Sequence, residues 1–416
     1  MAAPIVRARL SHLGAFQLGS WSGCVPVRKT SVQTAAAVQT QSEGTPDTGA
    51  PQTPPPYRTL ITDPTKHTTD HIGKFYKVPN AVQTGLFNVF QLTKIIRQIH
   101  ILTGEFSIMV RSPFLEVRDY LKSYDYSQPA LRVMLYGRLG TGKTQTMAHL
   151  LHYAYVNDWL IITHHWLPQY VRMPKELQPN ETNPLLMDSP IDAAIWLQHF
   201  RVLNLNLLSR LNLTTDQEWK WSETETTAKG EPLTNIIEHG IKRVKHACQC
   251  VEALLLEIKA HTDAGKVKTF VAMEAVNTIW DTSFMKRPDK SFIPVKDYTL
   301  LRAFKHVLAN DWKNAAIVVT VDETGLTLKH RGFTLENVPS YTPRYLLGSK
   351  GFEFFEPFVP VRTENYNDKE FESALDFYIA TNFIQHPKAK TESAREEFKF
   401  LSGKHPRSFV KICQWI

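Results

Sequence analysis

The sequence predicts an α/β protein, a parallel sheet sandwiched by helices, with a disordered leader before it and a small helical lid after it. Three observations predict this. Apolar runs at Val133–Tyr136, Trp159–Thr163, Val267–Met273 and Ala315–Val321 have the character of strands buried on both faces. Stretches with apolar residues at helical spacing alternate with them. The first run leads directly into Gly137-Arg138-Leu139-Gly140-Thr141-Gly142-Lys143-Thr144, after which Met147, Leu150 and Leu151 recur as on a helix.

In chain order, residues 1–42 carry Arg7, Arg9, Arg28 and Lys29 and no acid, Glu43 being the first. Arginines among Ala, Ser and Leu, without a dense apolar core, are the profile of a mitochondrial transit peptide. Residues 43–73 read as a flexible Pro-rich arm, opening on GTPDTGAPQTPPP and ending in a solvated stretch with Lys66, His67 and His71. A nucleotide-binding domain is expected over 74–362. Its first helices are predicted at Gln83–Leu102 and from Ser112 to about Tyr124, with Pro113 in the first turn.

Two glycines separated by four residues and followed by Lys and a hydroxyl residue make the loop at 137–144 that of a P-loop NTPase. A triphosphate needs several backbone N–H groups aimed inward, and Gly137, Gly140 and Gly142 let the chain curl closely without a Cβ. The following helix adds free amides and the positive end of its dipole. Lys143 would reach the β and γ phosphates, and the Thr144 hydroxyl would ligate Mg²⁺. The expected nucleotide-binding set is Gly137, Arg138, Leu139, Gly140, Thr141, Gly142, Lys143, Thr144 and Gln145.

His164 and His165 close the second strand, but neighbours on a strand face opposite sides, which argues against a shared ion. A helical insertion is expected at about 167–260. It comprises a helix from Ser189-Pro190 to Leu211, an exposed excursion around Trp219 and Trp221, and one helix over Leu233–Ala260. The outer face of that helix carries Lys242, Arg243, Lys245 and His246, which either grip RNA phosphates or are merely solvated. Glu274 ends the third strand, where a carboxylate holds the Mg²⁺ water or polarises the attacking water. Thr144 and Glu274 are the expected metal set. Asp322 follows the fourth strand beside Thr320 and Glu323, where ligands gather in parallel sheets. Glu274 and Asp322 are the expected catalytic residues.

Phe358–Val361 reads as a fifth strand whose proline suggests an edge. Arg331 and Arg344 are candidate phosphate or partner contacts. Residues 363–416 are expected as a basic helical domain: Asn365-Tyr366-Asn367-Asp368 can cap a helix to about Phe383, with helices at Thr391–Leu401 and Pro406–Trp415 after it.

With 416 residues and 43% hydrophobic composition, the chain can bury at least one large core. Its formal charge of +8 is a mild bias towards anionic partners. Cys24, Cys248, Cys250 and Cys413 form no paired framework, which suits a reducing compartment. No apolar run reaches the ~18 residues of a membrane span.

Several pieces are distinctive: GRLGTGKT at 137–144, VAMEAVNTIW at 271–280, NDW at 310–312, ETG at 323–325, LLGSKGFE with EPFVPV from 346 to 361, and NYNDKEFESALDFY at 365–378. In these the chain resembles the family of GTP-binding, death-associated proteins of the mitochondrial small ribosomal subunit. The similarity runs from about Lys74 to the end. It implies an AAA-like P-loop core in the mitochondrial ribosome of the matrix, with small-subunit rRNA and ribosomal proteins as partners, and no DNA. Guanine preference, GTP or GDP with Mg²⁺ and ATP as the alternative, also comes from the resemblance. The chain has no Asn-Lys-x-Asp, the usual guanine-reading motif. The family typically has aspartate where this chain has Glu274.

These features imply a GTP-binding structural component supporting mitochondrial translation. Hydrolysis would be slow at most, because no trans-acting arginine is identifiable and such a residue is worth about 10³ to 10⁵ in rate. Two alternatives stay open: a soluble mitochondrial ATPase or GTPase that moves its lid, and an apoptosis-linked adaptor, which rests on the family name alone.

Overall fold

The computed structural model describes residues 54–90, 92–326 and 340–414. An antiparallel hairpin, β1 (Phe75–Lys77) with β2 (Ser107–Met109), brackets helix α1 (Lys94–Thr103) and leads into α2 (Ser112–Ser123). The central sheet follows as β3 (Leu131–Tyr136), helix α3 (Lys143–Val156) and β4 (Leu160–His164). Helices α4 (Pro190–Leu211), α5 (Leu233–Lys242) and α6 (Ala247–Asp263) then precede β5 (Thr269–Met273). After it come α7 (Thr299–Leu308), β6 (Ala315–Thr320), α8 (Pro343–Phe355) and β7 (Val359–Arg362). Three helices end the chain: α9 (Asp368–Ala380), α10 (Glu392–Ser402) and α11 (Pro406–Cys413).

The five central strands are parallel, in the order β7-β3-β6-β5-β4. Val318 of β6 stands opposite Val133 on one side and Ala272 on the other. Because side chains alternate along a strand, each run feeds two cores. Met134, Ile162, Met273, Ile317 and Val319 pack against α4 to α7. Val133, Ile161, Phe270 and Val318 pack against α2 and α3. Each such side chain, removed from water, is worth roughly 1.5–3 kcal/mol. A third core joins α9, α10 and α11 to Phe75 and Met109 of the hairpin. Pro360 lies on edge strand β7, where a missing donor costs least. At the opposite edge, the Asn204 amide of α4 serves both the N–H and the carbonyl of Ile161, each at 2.9 Å.

Several expectations are corrected. The end of the supposed flexible arm packs instead: His67 is buried against Tyr76 and Phe114, with its ring nitrogens on His149 Nε2 (3.0 Å) and the Ile61 carbonyl (2.9 Å). The helix expected over Gln83–Leu102 is broken into a turn of π-helix at Gln83–Phe87 and the separate α1. The helix expected over Leu233–Ala260 is interrupted at Arg243, which has φ −109° and ψ 71°. Within the stretch expected as a helical insertion at about 167–260, α4, α5 and α6 cover one face of the sheet.

Trp219 and Trp221 are not in an exposed excursion. They lie in a small hairpin, Trp219–Lys220 with Thr226–Thr227, where Trp219 Nε1 donates to Glu257 (2.7 Å) and buried Trp221 donates to Thr227 (2.9 Å). The basic cluster after α5 is engaged by acids: Lys242 with Glu238, Arg243 with Glu225, Lys245 with Glu181. No helix among the described residues is long and apolar enough to cross a membrane. The leader at 1–42 and Arg331 lie outside the described residues.

Candidate nucleotide-binding site

Strand β3 delivers the glycine-rich loop to the carboxyl edge of the sheet, and α3 begins at Lys143. Three glycines take backbone forbidden to ordinary residues, with φ 143° at Gly137, 98° at Gly140 and 112° at Gly142. A Cβ on Gly140 would lie 2.5 Å from Cβ of Arg407, and one on Gly137 would overlap the Thr363 carbonyl. Close approach, as well as conformation, demands glycine there.

The Lys143 ammonium is buried and turned onto the loop, donating to the carbonyls of Gly137 (2.8 Å) and Arg138 (3.1 Å) and pairing with Asp322 at 3.0 Å. Asp322 also accepts from Thr324 N, capping the short turn Glu323–Gly325. Across the sheet, the Thr144 hydroxyl donates to Glu274 Oε2 at 2.9 Å. Burial pushes the Glu274 carboxyl up to about 8. The Thr144 hydrogen bond and Lys143 oppose that rise, and the nearby Asp322 charge adds to it. Thr320, at the end of β6, accepts from the backbone N–H of Ala275 through its hydroxyl (2.9 Å) and so fixes the chain just after Glu274.

These groups share a cavity of about 580 Å³, lined by Leu139, Gly140, Gly142, Lys143, Thr144, Gln145, Glu274 and Asp322 together with apolar residues of α1 and the carboxy-terminal helices. The volume is that of an ordinary small-molecule site. Arg138 is exposed, and Thr141 turns away to share a hydrogen bond with the Thr363 hydroxyl (2.8 Å). Arg344 lies over Phe352 on α8 and does not line the cavity.

Four residues that sequence reasoning missed hold the loop from outside. Arg111 is buried, grips Glu370 through Nε (3.1 Å) and Nη2 (3.0 Å), and donates from Nη1 to the Thr141 carbonyl at 2.7 Å. Glu370 is in turn the second member of the capping box that starts α9. Thr363 braces Thr141. His405 donates from Nε2 to the Leu139 carbonyl (3.1 Å), and Arg407 N–H donates to the Gly140 carbonyl (3.2 Å). No linear motif announces these partners; only the Ser112-Pro113 helix start places Arg111 at a boundary.

The residues present fit a nucleotide with Mg²⁺. The loop has room for phosphoryl oxygens because no Cβ fills it. Glu274 Oε1 and Gln145 Oε1 are shielded from water without a protein partner, and the Thr144 hydroxyl lies beside the first. A hydroxyl and a carboxylate are hard oxygen ligands of the kind Mg²⁺ takes.

The model of the family described as mitochondrial ribosomal death-associated protein 3 matches residues 108–412. The chain is 35% identical over 363 residues to the small ribosomal subunit protein mS29 of Bos taurus, covering 86% of this chain and 88% of that protein. It is 35% identical over 360 residues to its namesake in Mus musculus, with the same coverages. The Neurospora crassa protein of that name is 22% identical over 245 residues, covering 58% of this chain and 50% of its own length.

Proposed function

The chain belongs to the mitochondrial ribosomal death-associated protein 3 family, and from that premise we propose a GTP- or GDP-binding structural component of the mitochondrial small ribosomal subunit, supporting translation there. Its place is the mitochondrial ribosome. The nucleotide part rests on one observation: the glycine loop, the Lys143 ammonium and the Thr144–Glu274 pair meet at one wall of one cavity.

The sheet order supports the same reading. Strand β6 stands between the loop strand β3 and the carboxylate strand β5, as in AAA-like P-loop NTPases, so Asp322 is interposed between the loop and Glu274. Bound Mg²⁺ would neutralise charge on the phosphates, held by Thr144 and Glu274. Lys143 would exchange its loop carbonyls for phosphoryl oxygens, with Asp322 orienting it. The preference for guanine rests on the family likeness.

One feature favours a bound nucleotide that stabilises over one that turns over. Arg111 lines the cavity, but its guanidinium is committed to Glu370 and Thr141.

The test is mass spectrometry of small molecules released on denaturing the purified full chain, joined to titration with a fluorescent guanosine diphosphate. A guanine nucleotide should be released, and Lys143→Ala should weaken binding at least tenfold, the loss of about 1.4 kcal/mol or more. A chain that releases no nucleotide and binds neither guanosine nor adenosine phosphates at millimolar concentration would sink the assignment.

A further inference from the structure

Three side chains of metal-ligating type, none of them lining the cavity beside the glycine loop, converge from three different elements. Glu225 comes from the turn of the Trp219–Thr227 hairpin, His239 from the last turn of α5, and His246 from the short 3₁₀ turn Val244–His246. One ligand atom from each lies within 4.8 Å of the other two. His239 Nε2 is 3.0 Å from His246 Nδ1, and Glu225 Oε2 is 3.7 Å from the same Nδ1. In a tetrahedral site with metal–nitrogen distances of ~2.0–2.1 Å the ligand atoms stand roughly 3.3 Å apart. The two separations straddle that value. We propose that Glu225, His239 and His246 bind a divalent d-block cation, zinc foremost, with water as the fourth ligand.

The chemistry of the donors supports this choice. The two imidazoles are nearly coplanar (8°), and Trp221 stacks on His239 at 19°, so the rings are held in place before any ion arrives. Neutral imidazole is the ligand form. The proton shared between the rings needs only to move to an outer nitrogen of one of them, so both lone pairs can face the ion without loss of a proton. Arg243 occupies Glu225 Oε1 at 2.8 Å and leaves Oε2 towards His246. Two imidazoles and one carboxylate form a set that serves zinc in open sites.

A second cluster of Asp216, Glu257 and His261 is spatially similar but chemically committed. Both oxygens of Glu257 accept hydrogen bonds, from Asp216 N and Trp219 Nε1, while His261 is held by the Thr214 carbonyl and by the Lys266 ammonium at 3.0 Å. A cation already stands where an ion would go. In the Glu225 cluster the neighbouring cation, Arg243, stands on Glu225 Oε1 rather than on a ligand nitrogen, and an ion there would tie the hairpin to the junction of α5 and α6.

The experiment uses the full chain stripped of metal with a chelator, then titrated with Zn²⁺ alone against a chromophoric competitor and, separately, with Co²⁺. The expected result is one Zn²⁺ per chain, visible absorption of tetrahedral Co²⁺, and loss of both in His239→Gln, with affinity falling on the order of 100-fold or more. His261→Gln should leave them unchanged. Glu225→Gln, at a partly exposed position, should also weaken binding and serves if a histidine variant fails to fold. Absence of stoichiometric Zn²⁺ uptake, or uptake undiminished in His239→Gln and Glu225→Gln, overturns the proposal.

Discussion

Replacing Arg111 with methionine isolates the contact that joins the glycine loop to the carboxy-terminal helices. Arg111 is 7% exposed and Glu370 2%, so the pair is desolvated on both sides. The guanidinium meets the carboxylate with two nitrogens, donates to the Thr141 carbonyl, reaches the carbonyls of Glu364 (3.1 Å) and Asn365 (3.3 Å), and covers the Tyr366 ring at 5.0 Å. Methionine keeps the length and discards the charge. Removing one partner of a buried pair costs about 3–5 kcal/mol, because the other is left unpaired. The orphaned Thr141 carbonyl adds roughly 1 kcal/mol. Urea unfolding should therefore show a loss of about 4–6 kcal/mol. The double variant Arg111→Met with Glu370→Leu removes the stranded carboxylate and should recover several kcal/mol of this, though not the carbonyl contacts. Guanosine diphosphate affinity should fall in both variants, since each frees the Thr141 peptide. A loss below about 1 kcal/mol in the single variant, or a double variant as unstable as the sum of its parts, would refute the reasoning.

Glu274 makes stability depend on pH. Its folded pKa of about 8 exceeds the ordinary 4.5, so the native chain binds more protons than the unfolded one between those values, and stability falls as pH rises through that window. Glu274→Gln should abolish that slope, gaining about 3–5 kcal/mol relative to the parent at pH 8 over the comparison at pH 5; urea midpoints at the two pH values measure it. Asn204→Ala should expose the N–H and carbonyl of Ile161 at the sheet edge, costing about 2 kcal/mol and speeding amide exchange at Ile161 well beyond that at Ile162.

The strands were legible because a parallel sheet covered on both sides leaves uninterrupted apolar runs, and all five lie where those runs are. The stretch Asn365–Asp368 announced the start of α9, and the structure places the cap at Asn367 with Glu370 completing a capping box. Helix interruptions were harder. Thr93 takes extended backbone at the N-cap of α1, but the apolar pairs on either side of it mimic one continuous helix. The break at Arg243 carries no glycine or proline. Trp219 and Trp221 were misplaced because the polar residues around them suggested solvent, whereas alternate residues of a two-stranded ribbon can bury one face. In the site, Lys143 and Thr144 at the start of α3 meet Glu274 and Asp322, which follow β5 and β6, as the motif and the strand-end positions imply. Arg111, Thr363, His405 and Arg407 were invisible because their partners are backbone carbonyls and side chains remote in sequence, and a carbonyl has no residue-type signature.

The peptide of Gly140 is clasped by Arg407, and β3 finds one of its two neighbours only in β7. Assembly of the glycine loop must therefore wait for segments made long after it. A variant cut before Pro406 should lack one wall of the cavity, however well its sheet forms.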